Sequence, residues 1–418
     1  METILTVTHT ECNESPAVDA KILDGPAIVN MLRPHDSKTF IEYVTGVIEP
    51  YIVHQLQSVA RVDLVFDRYF TDSLKSGTRS NRGSGVRRVV KANSSMPNNW
   101  STFLRCDDNK SELFLLIVNK LVKNIDPVNG LFIGSLDDGV VANQYVNLQP
   151  LMPCNIEEAD ERMFIHVKHA AEKCPRILVK TVDSDVVVIA LSAFHRIPGI
   201  QELWIEFGVG KHLKFIPIHE IAASLGPETS TAYLFFHSFS GCDTTSSVNG
   251  KGKASFYETW KKMPCVTPVF ERMSSSVGDI REKDIDYLEE FVVTMYCSTF
   301  NGKRVNDARR YLFTTRGNAI ENIPPTSAAL KEHVKRSVLQ ARKWYNCLDA
   351  LRVEQDPVNW GWMKDGNKFT PVWSSLPELS SVTKVLIRCG HTDCERGSCK
   401  CRKNRLRCTE LCGCQGKC

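Results

Sequence analysis

This 418-residue chain has no apolar run that reaches the roughly 20 residues a membrane-spanning helix needs. Its N-terminus, METILTVTHTECNESP, lacks the basic patch and apolar stretch of a secretory leader. Both absences point to an intracellular protein with no membrane partner, in the nucleus or the cytoplasm. There is no internal repeat, which argues against solenoids and propellers. Neither sign of charge is in excess: 52 basic residues face 48 acids, for a net charge of +4, and only the local distribution is informative. Cysteine is sparse through most of the chain. Eight of the sixteen are scattered over residues 1–388 and read as reduced thiols, while the other eight crowd into 389–418. In a reducing compartment such crowding points to metal rather than to disulfides. The apolar fraction of 42% and charged fraction of 24% are those of a globular protein with one large or two ordinary cores.

What is present is organised around residues 153–191, PCNIEEADERMFIHVKHAAEKCPRILVKTVDSDVVVIAL. Glu157, Glu158 and Asp160 open a helix, where carboxylates favour the positive end of the dipole. Met163, Phe164, Val167 and Ala171 recur at helical spacing and give it one face for a core. Residues 177–182 read as a strand covered on both faces, closed by Asp183 and Asp185. Chemistry in open α/β sheets collects beyond the carboxyl ends of strands. Clustered carboxylates there repel one another unless a cation sits among them, and oxygen ligands suit Mg²⁺ or Mn²⁺. Taken alone, EEAD also reads as a solvated helix start and DSD as a turn. The case rests on acids at equivalent places elsewhere.

Such acids recur. AKILDGPAIVNML (20–32) is a strand ending in Asp24, followed by a helix, and residues 38–57 form a second helix. RVDLVFD (61–67) is a strand closed by Asp67. Between 68 and 91 the chain turns basic, with Arg68, Lys75, Arg79, Arg82, Arg87, Arg88 and Lys91 against Asp72 alone. Glycine and serine are interspersed, so this stretch is expected to be mobile by itself and ordered by an anionic partner. Lys75 and Arg82 share a face if it becomes helical. Further on lie a helix at 111–123, a strand at 130–135, a hairpin from ELWIEF and LKFIPI, and helices at 219–226 and 230–241. The last ends at Asp243. Gly250-Lys251-Gly252-Lys253 then opens a helix at Ala254, so that backbone N–H groups could meet a phosphate with lysines beside them. An ordinary glycine turn explains the same residues. Trp360, Trp362 and Trp373 are expected to pack a small module rather than stack on bases.

These motifs, in this order, resemble the flap endonuclease (XPG-type) branch of the PIN-like nucleases over roughly residues 18–262. ILDGPAIVNML is similar to that family's first strand and metal-binding acid, here Asp24, and LVFD to the second, here Asp67. LKSGTRSNR resembles the helical gateway with its basic pair, here Lys75 and Arg82. IEEAD resembles the paired acids, Glu158 and Asp160, with Asp at 160 where the family has Glu. TVDSDVVV resembles the next strand end, Asp183 and Asp185. GCDTTSSVNGKGKASFYETW resembles the last acid, Asp243, and a helix–hairpin–helix. The resemblance implies a PIN-like, flap-endonuclease-like α/β fold, with a mostly parallel central sheet flanked by helices. It also implies two-metal phosphodiester hydrolysis with Mg²⁺ or Mn²⁺. Asp24, Asp67, Glu158 and Asp160 would hold one ion, and Asp183, Asp185 and Asp243 the second. Lys75 and Arg82 would act on the scissile phosphate. Branched DNA or a duplex/single-strand junction is the implied partner, gripped by Arg79, Arg87, Arg88 and the turn Gly250, Lys251, Gly252, Lys253.

The tail carries Cys389, Cys394, Cys399, Cys401, Cys408, Cys412, Cys414 and Cys418. So short a segment cannot bury enough to fold alone, so metal is expected to supply the folding energy. It resembles the CXC (tesmin-like) zinc module, in which nine cysteines share three zincs. His391 would be the ninth ligand here, bringing up to three Zn²⁺ ions. Arg396, Lys400, Arg402, Lys403, Arg405, Arg407 and Lys417 would make it a reader of DNA backbone.

The expected organisation is a disordered 1–17, a nuclease domain 18–330, an accessory segment 331–385 and the zinc module 386–418. The nuclease domain would contain a basic insertion, 68–100, and a helix–hairpin–helix, 240–262. Two other functions fit the same residues: a catalytically inactive DNA- or chromatin-binding protein using its zinc module, and an RNA-cleaving PIN-like nuclease.

Overall fold

A computed structural model describes residues 14–418 except 82, 84, 315–318, 320–321, 367, 377–388, 393, 395–398, 404–405, 410–411 and 417–418. The expected disordered N-terminus lies outside the described residues as far as residue 13.

Seven strands form one sheet: β1 (Ala20–Asp24), β2 (Arg61–Val65), β3 (Leu131–Ser135), β4 (Val140–Ala142), β5 (Arg176–Thr181), β6 (Glu202–Phe207) and β7 (Lys214–Pro217). Their order is β4-β3-β2-β1-β5-β6-β7. The five inner strands are parallel, and β4 and β7 pair antiparallel at the two edges. Neighbouring side chains along a strand face opposite cores, as the pleat requires. Ile22, Ile177 and Val179 join one apolar cluster, while Leu23, Leu178 and Leu64 join the other.

One face carries α1 (Gly25–Met31), the helical run 40–56 and α3 (Asp107–Asn124), with α2 (Leu74–Asn81) between them in sequence. The other carries α4 (Ala159–Ala171), α5 (Ser184–Phe194), α6 (Ile218–Phe239), α7 (Lys253–Lys262) and α8 (Ser327–Tyr345). In α6 the expected break between two helices is a kink at Gly226, whose φ of 74° suits glycine, followed by Pro227. The basic stretch expected to be mobile contains a described helix, α2.

The chain leaves β1 to build β2 and β3 on one side, then returns to build β5 and β6 on the other. Between β1 and β5 the direction of winding therefore reverses, and in open α/β sheets a crevice forms at that point beyond the carboxyl ends of the strands. Asp24, Asp67 and Asp183 all stand at that edge.

The expected domain break between residues 330 and 331 falls inside α8, whose Leu330, Val334, Val338, Ala341 and Trp344 are part of the main core. The segment after α8 is an ordered strap. Its two strands, β8 (Trp362–Asp365) and β9 (Lys368–Pro371), form a hairpin against α2. Trp360 lies under the Arg342 guanidinium at 4.7 Å, which is the packing role expected of it, whereas Trp373 is 66% exposed. Among the described residues, no helix is long and apolar enough to cross a membrane.

Candidate active site

Each strand end delivers its acid through a local hydrogen bond. Asp24 caps α1: Oδ1 accepts the Ala27 N–H at 3.0 Å, and Oδ2 accepts the Thr181 hydroxyl at 3.1 Å. Residue 25 must be glycine, because a Cβ there would lie 2.3 Å from the Phe66 ring. Asp67 binds β2 to the start of α4, accepting the Ala159 N–H at 2.8 Å on Oδ1 and the Tyr69 hydroxyl at 3.0 Å on Oδ2. Glu158 is the N-cap residue of α4 and Asp160 lies in its first turn. Glu157, expected in that turn, precedes it and pairs with Arg79 at 2.7 Å. Asp183 caps α5 by accepting the Asp185 N–H at 2.8 Å. Asp185 meets His237 Nε2 at 2.7 Å. Asp243, beyond the end of α6, lines one cavity of about 350 Å³ together with Asp67, Lys75 and Glu158.

The charges of these acids act on one another. Burial, helped by Asp67 and Asp183, pushes the Asp24 carboxyl up to about 7. Burial pushes Glu158 up to about 7 as well, with Lys75 opposing and Glu161 and Asp67 adding. Asp160 is raised well above the carboxylate range by burial and then by Asp24, Asp183, Glu158 and Asp67. Burial raises Asp183 too, with Asp185 and Asp243 contributing. Burial also pushes on Asp185, but the His237 bond together with the charges of His237, Lys75 and Lys253 holds it below its ordinary value.

Lys75 supplies the cation in this group. Its Nζ is 2.7 Å from Glu158 Oε1, and although burial opposes its charge, Glu158, Asp160 and Asp185 raise its pKa. All seven acids expected from the sequence thus come together. Oxygen donors that are buried and mutually repelling fit a hard divalent cation. Among the described residues, the groups of three or more ligand atoms within 4.8 Å of one another are thiolates, so no three of these carboxylates bring oxygens that close together.

The expected nucleic-acid contacts fare differently. Arg79 is engaged by Glu157 and by Asp107 at 2.9 Å, so it braces α2 instead of projecting outward. Arg82 lies outside the described residues. Arg87 pairs with Glu112, and Arg88 is exposed. The turn lysines point inward. Lys251 Nζ donates to the Met295 carbonyl at 3.2 Å and lies over the Tyr296 ring. Lys253 Nζ donates to the His237 and Gly241 carbonyls and to Ser240 Oγ, at 3.1, 2.7 and 3.2 Å. These carbonyls end α6 and need donors, which is why the ammonium turns to them. Gly250 (φ +67°) and Gly252 have open space where a Cβ would stand, so the backbone remains approachable there.

Several site residues carried no sequence signal. His237 is one residue of an apolar helix. Arg352, far along the chain, is buried against Glu161 and bonds Glu354 at 2.8 Å. Asn155 clasps the same strap, donating to the Arg352 carbonyl at 2.8 Å and accepting its N–H at 3.0 Å. The loop that carries Glu157 and Glu158 is thereby tied to residues expected to belong to a separate segment.

In the tail, two four-thiol groups form: Cys389, Cys394, Cys399 and Cys408, and Cys389, Cys401, Cys408 and Cys412. Sulfur separations of 3.4–3.7 Å are far longer than a disulfide and close to the edge of a metal–thiolate tetrahedron. Neither group includes His391, expected as the ninth ligand; it is exposed, and its backbone N–H bonds Cys389. Cys414 is buried beside Cys408. Cys418, Arg396, Arg405 and Lys417 lie outside the described residues.

The fold and site together define an α/β protein with a carboxylate centre at the switch point of a mostly parallel sheet, and a cysteine cluster suited to metal at its C-terminal end. No family model and no curated protein matches the chain. Solved structures do. The bacteriophage T5 D15 flap endonuclease, in a pseudo-enzyme-product complex with DNA and metal ions, is 10% identical, with 79% of this chain and 92% of that chain covered and a TM-score of 0.38. The catalytic core of Rad2 in complex with DNA substrate is 15% identical, with 77% and 95% covered and a TM-score of 0.37. At this identity and TM-score the likeness says nothing of activity or substrate.

Proposed function

We propose that this chain is a metal-dependent, structure-specific DNA endo- or exonuclease of the flap endonuclease type, working in the nucleus, with its cysteine tail as a zinc module that targets DNA or chromatin. The observation that carries this reading is the convergence of seven acids from separate strand and helix ends on one place, with Lys75 among them.

Asp24, Asp67, Glu158 and Asp160 would hold one Mg²⁺ or Mn²⁺, and Asp183, Asp185 and Asp243 a second. Bound there, the ions would supply an activated water and stabilise the leaving oxygen. Everything else is done by the chain. The Thr181 and Tyr69 hydroxyls fix the orientation of Asp24 and Asp67. Lys75, on exchanging Glu158 for the scissile phosphate, neutralises its charge. Backbone N–H groups near Gly250 and Gly252, at the start of α7, receive a phosphate of the duplex. Burial holds the Asp24 and Glu158 carboxyls up at about 7, and bound cations would favour their ionised forms.

The test uses full-length protein with labelled flap, duplex and single-stranded DNA, and matching RNA, in Mg²⁺ or EDTA. Cleavage is expected of branched DNA in Mg²⁺ only. Asp183→Ala and Glu158→Ala are expected to abolish it while DNA binding persists. Full activity in either variant overturns the assignment, and preference for RNA replaces it with a ribonuclease.

A further inference from the structure

We infer that His237 and Lys253 are positioning residues that lock Asp185 and the loop bearing Asp243 in register for cation binding, without touching nucleic acid. The inference rests on the metal-dependent reading above and extends it to two residues that contribute no cation ligand.

His237 lies in the last turn of α6 and is 1% exposed. Its Nε2 is 2.7 Å from Asp185 Oδ1, while Nδ1 is buried with no hydrogen-bond partner among the described residues. A neutral ring in that setting carries its proton on Nε2, because only there does it meet an acceptor. The ring cannot easily turn, since it packs on Trp344 with centroids 5.6 Å apart. One oxygen of Asp185 is therefore fixed by a buried donor and the other is left for a cation. Orienting a ligand carboxylate through an outer hydrogen bond is how metal sites set geometry and affinity.

Lys253 completes the device. It reaches back from the first residue of α7 to the His237 and Gly241 carbonyls and to Ser240 Oγ. That grip fixes the turn from which Asp243 projects two residues later. The same ammonium is thus joined through His237 to Asp185 and through Gly241 to Asp243. Two carboxylates on different elements share one support. An ammonium engaged by three acceptors is a poor candidate for a phosphate contact.

The test measures Mn²⁺ binding to the full-length protein without DNA, by calorimetry, alongside DNA affinity in EDTA. His237→Phe keeps the ring volume and removes the donor; Lys253→Met removes the grip. Each is expected to weaken Mn²⁺ binding by about 10–100-fold, with DNA affinity within about twofold of wild type, since neither residue meets a phosphate in this reading. His237→Gln places an amide nitrogen near the position of Nε2 and is expected to restore most of the affinity, whereas His237→Asn falls short and is not. That pair decides the matter even if His237→Phe fails to fold. Equal Mn²⁺ affinity in the Gln and Asn variants overturns the role of His237. Lost DNA affinity with unchanged Mn²⁺ binding in Lys253→Met overturns that of Lys253. A wild-type protein that binds no Mn²⁺ overturns the nuclease reading along with this one.

Discussion

Lys75 Nζ and Glu158 Oε1 are 2.7 Å apart, with side chains only 17% and 20% exposed. The pair joins the helix that carries the basic residues to the N-cap of α4, across the carboxylate site. Removing one partner of a buried pair leaves the other uncompensated. In Lys75→Met, Glu158 loses the cation that opposes its burial, and its carboxyl moves further up. Single-turnover cleavage at neutral pH is expected to fall about 10²–10³-fold, the scale of losing one aligned electrostatic group. Lys75→Arg should retain part of the rate. A Met variant within twofold of wild type would reduce the pair to a structural contact.

The raised carboxyls of Asp24 and Glu158 also fix the sign of a pH effect. Both have folded values of about 7, above the unfolded carboxylate range. Between about pH 4 and 7 these two groups hold more protons in the folded chain than in the unfolded one, so the stability they contribute falls as pH rises through that window. The buried His166, His169, His237 and His333, all lowered by burial, act the other way over the same range. The rise in melting temperature on adding Mg²⁺ isolates the carboxylates and should be larger at pH 8 than at pH 5.5, because Mg²⁺ binds the ionised site and stabilises by mass action. Scanning fluorimetry at both pH values, in EDTA and in Mg²⁺, checks this. A Mg²⁺ shift equally large at both would mean these carboxylates are not its ligands.

Asp160 offers the sharpest separation of function from stability. Burial and the charges of Asp24, Asp183, Glu158 and Asp67 all act against its ionised form. Asp160→Asn removes that charge at nearly constant volume. It is expected to raise the melting temperature in EDTA by a few degrees, the effect of about 1 kcal/mol. Cleavage should fall below detection. A variant that is destabilised in EDTA would show that Asp160 is held by interactions stronger than the repulsion.

The parallel sheet was legible because buried strands read as apolar runs, and β1, β2 and β5 each close with an acid within two residues of their ends. Asp24, Asp67 and Asp183 stand where that pattern puts them. Their partners were not legible. Thr181, Tyr69 and His237 reach the acids only through tertiary packing, and nothing in their spacing marks them. Lys251 and Lys253 turn inward for a related reason. A lysine beside a glycine turn can serve a phosphate or a helix-end carbonyl, here Met295 for Lys251 and His237 for Lys253, and local sequence does not distinguish them. Arg61 and Asp63 show the same limit: inside a covered strand they pair with each other at 2.7 Å, and Asp63 also meets His166 at 2.7 Å.

The break expected at 330/331 cuts through α8, which buries five apolar side chains in the main core. A chain ending at residue 330 is therefore expected not to fold, as judged by circular dichroism and proteolysis. The strap beyond α8 has a subtler part. Arg352 is buried against Glu161, so Arg352→Met leaves a carboxylate without its partner at a cost of about 3–5 kcal/mol. Replacing both, with Glu161→Gln in the same chain, should recover much of that loss. Failure of the double variant to recover would locate the cost in the backbone contacts with Asn155 instead.

The two thiol groups of the tail share Cys389 and Cys408. If each group holds one zinc, these two sulfurs bridge, and six cysteines serve two ions in place of the nine ligands and three ions that the CXC resemblance implied. Bridging makes the substitutions unequal. Cys408→Ser strips a ligand from both ions and is expected to lose both, whereas Cys399→Ser touches one group and should leave the other ion bound. His391→Ala, outside both groups, should leave the metal content unchanged. Zinc per chain, measured by mass spectrometry of the native protein, reads all three variants directly. Equal losses from Cys408→Ser and Cys399→Ser would mean that no thiolate is shared, and a lower count in His391→Ala would restore the imidazole as a ligand. Because so short a segment draws its folding energy from the metal, the variant that loses both ions should also be the one whose tail becomes sensitive to protease while the seven-stranded core stays resistant.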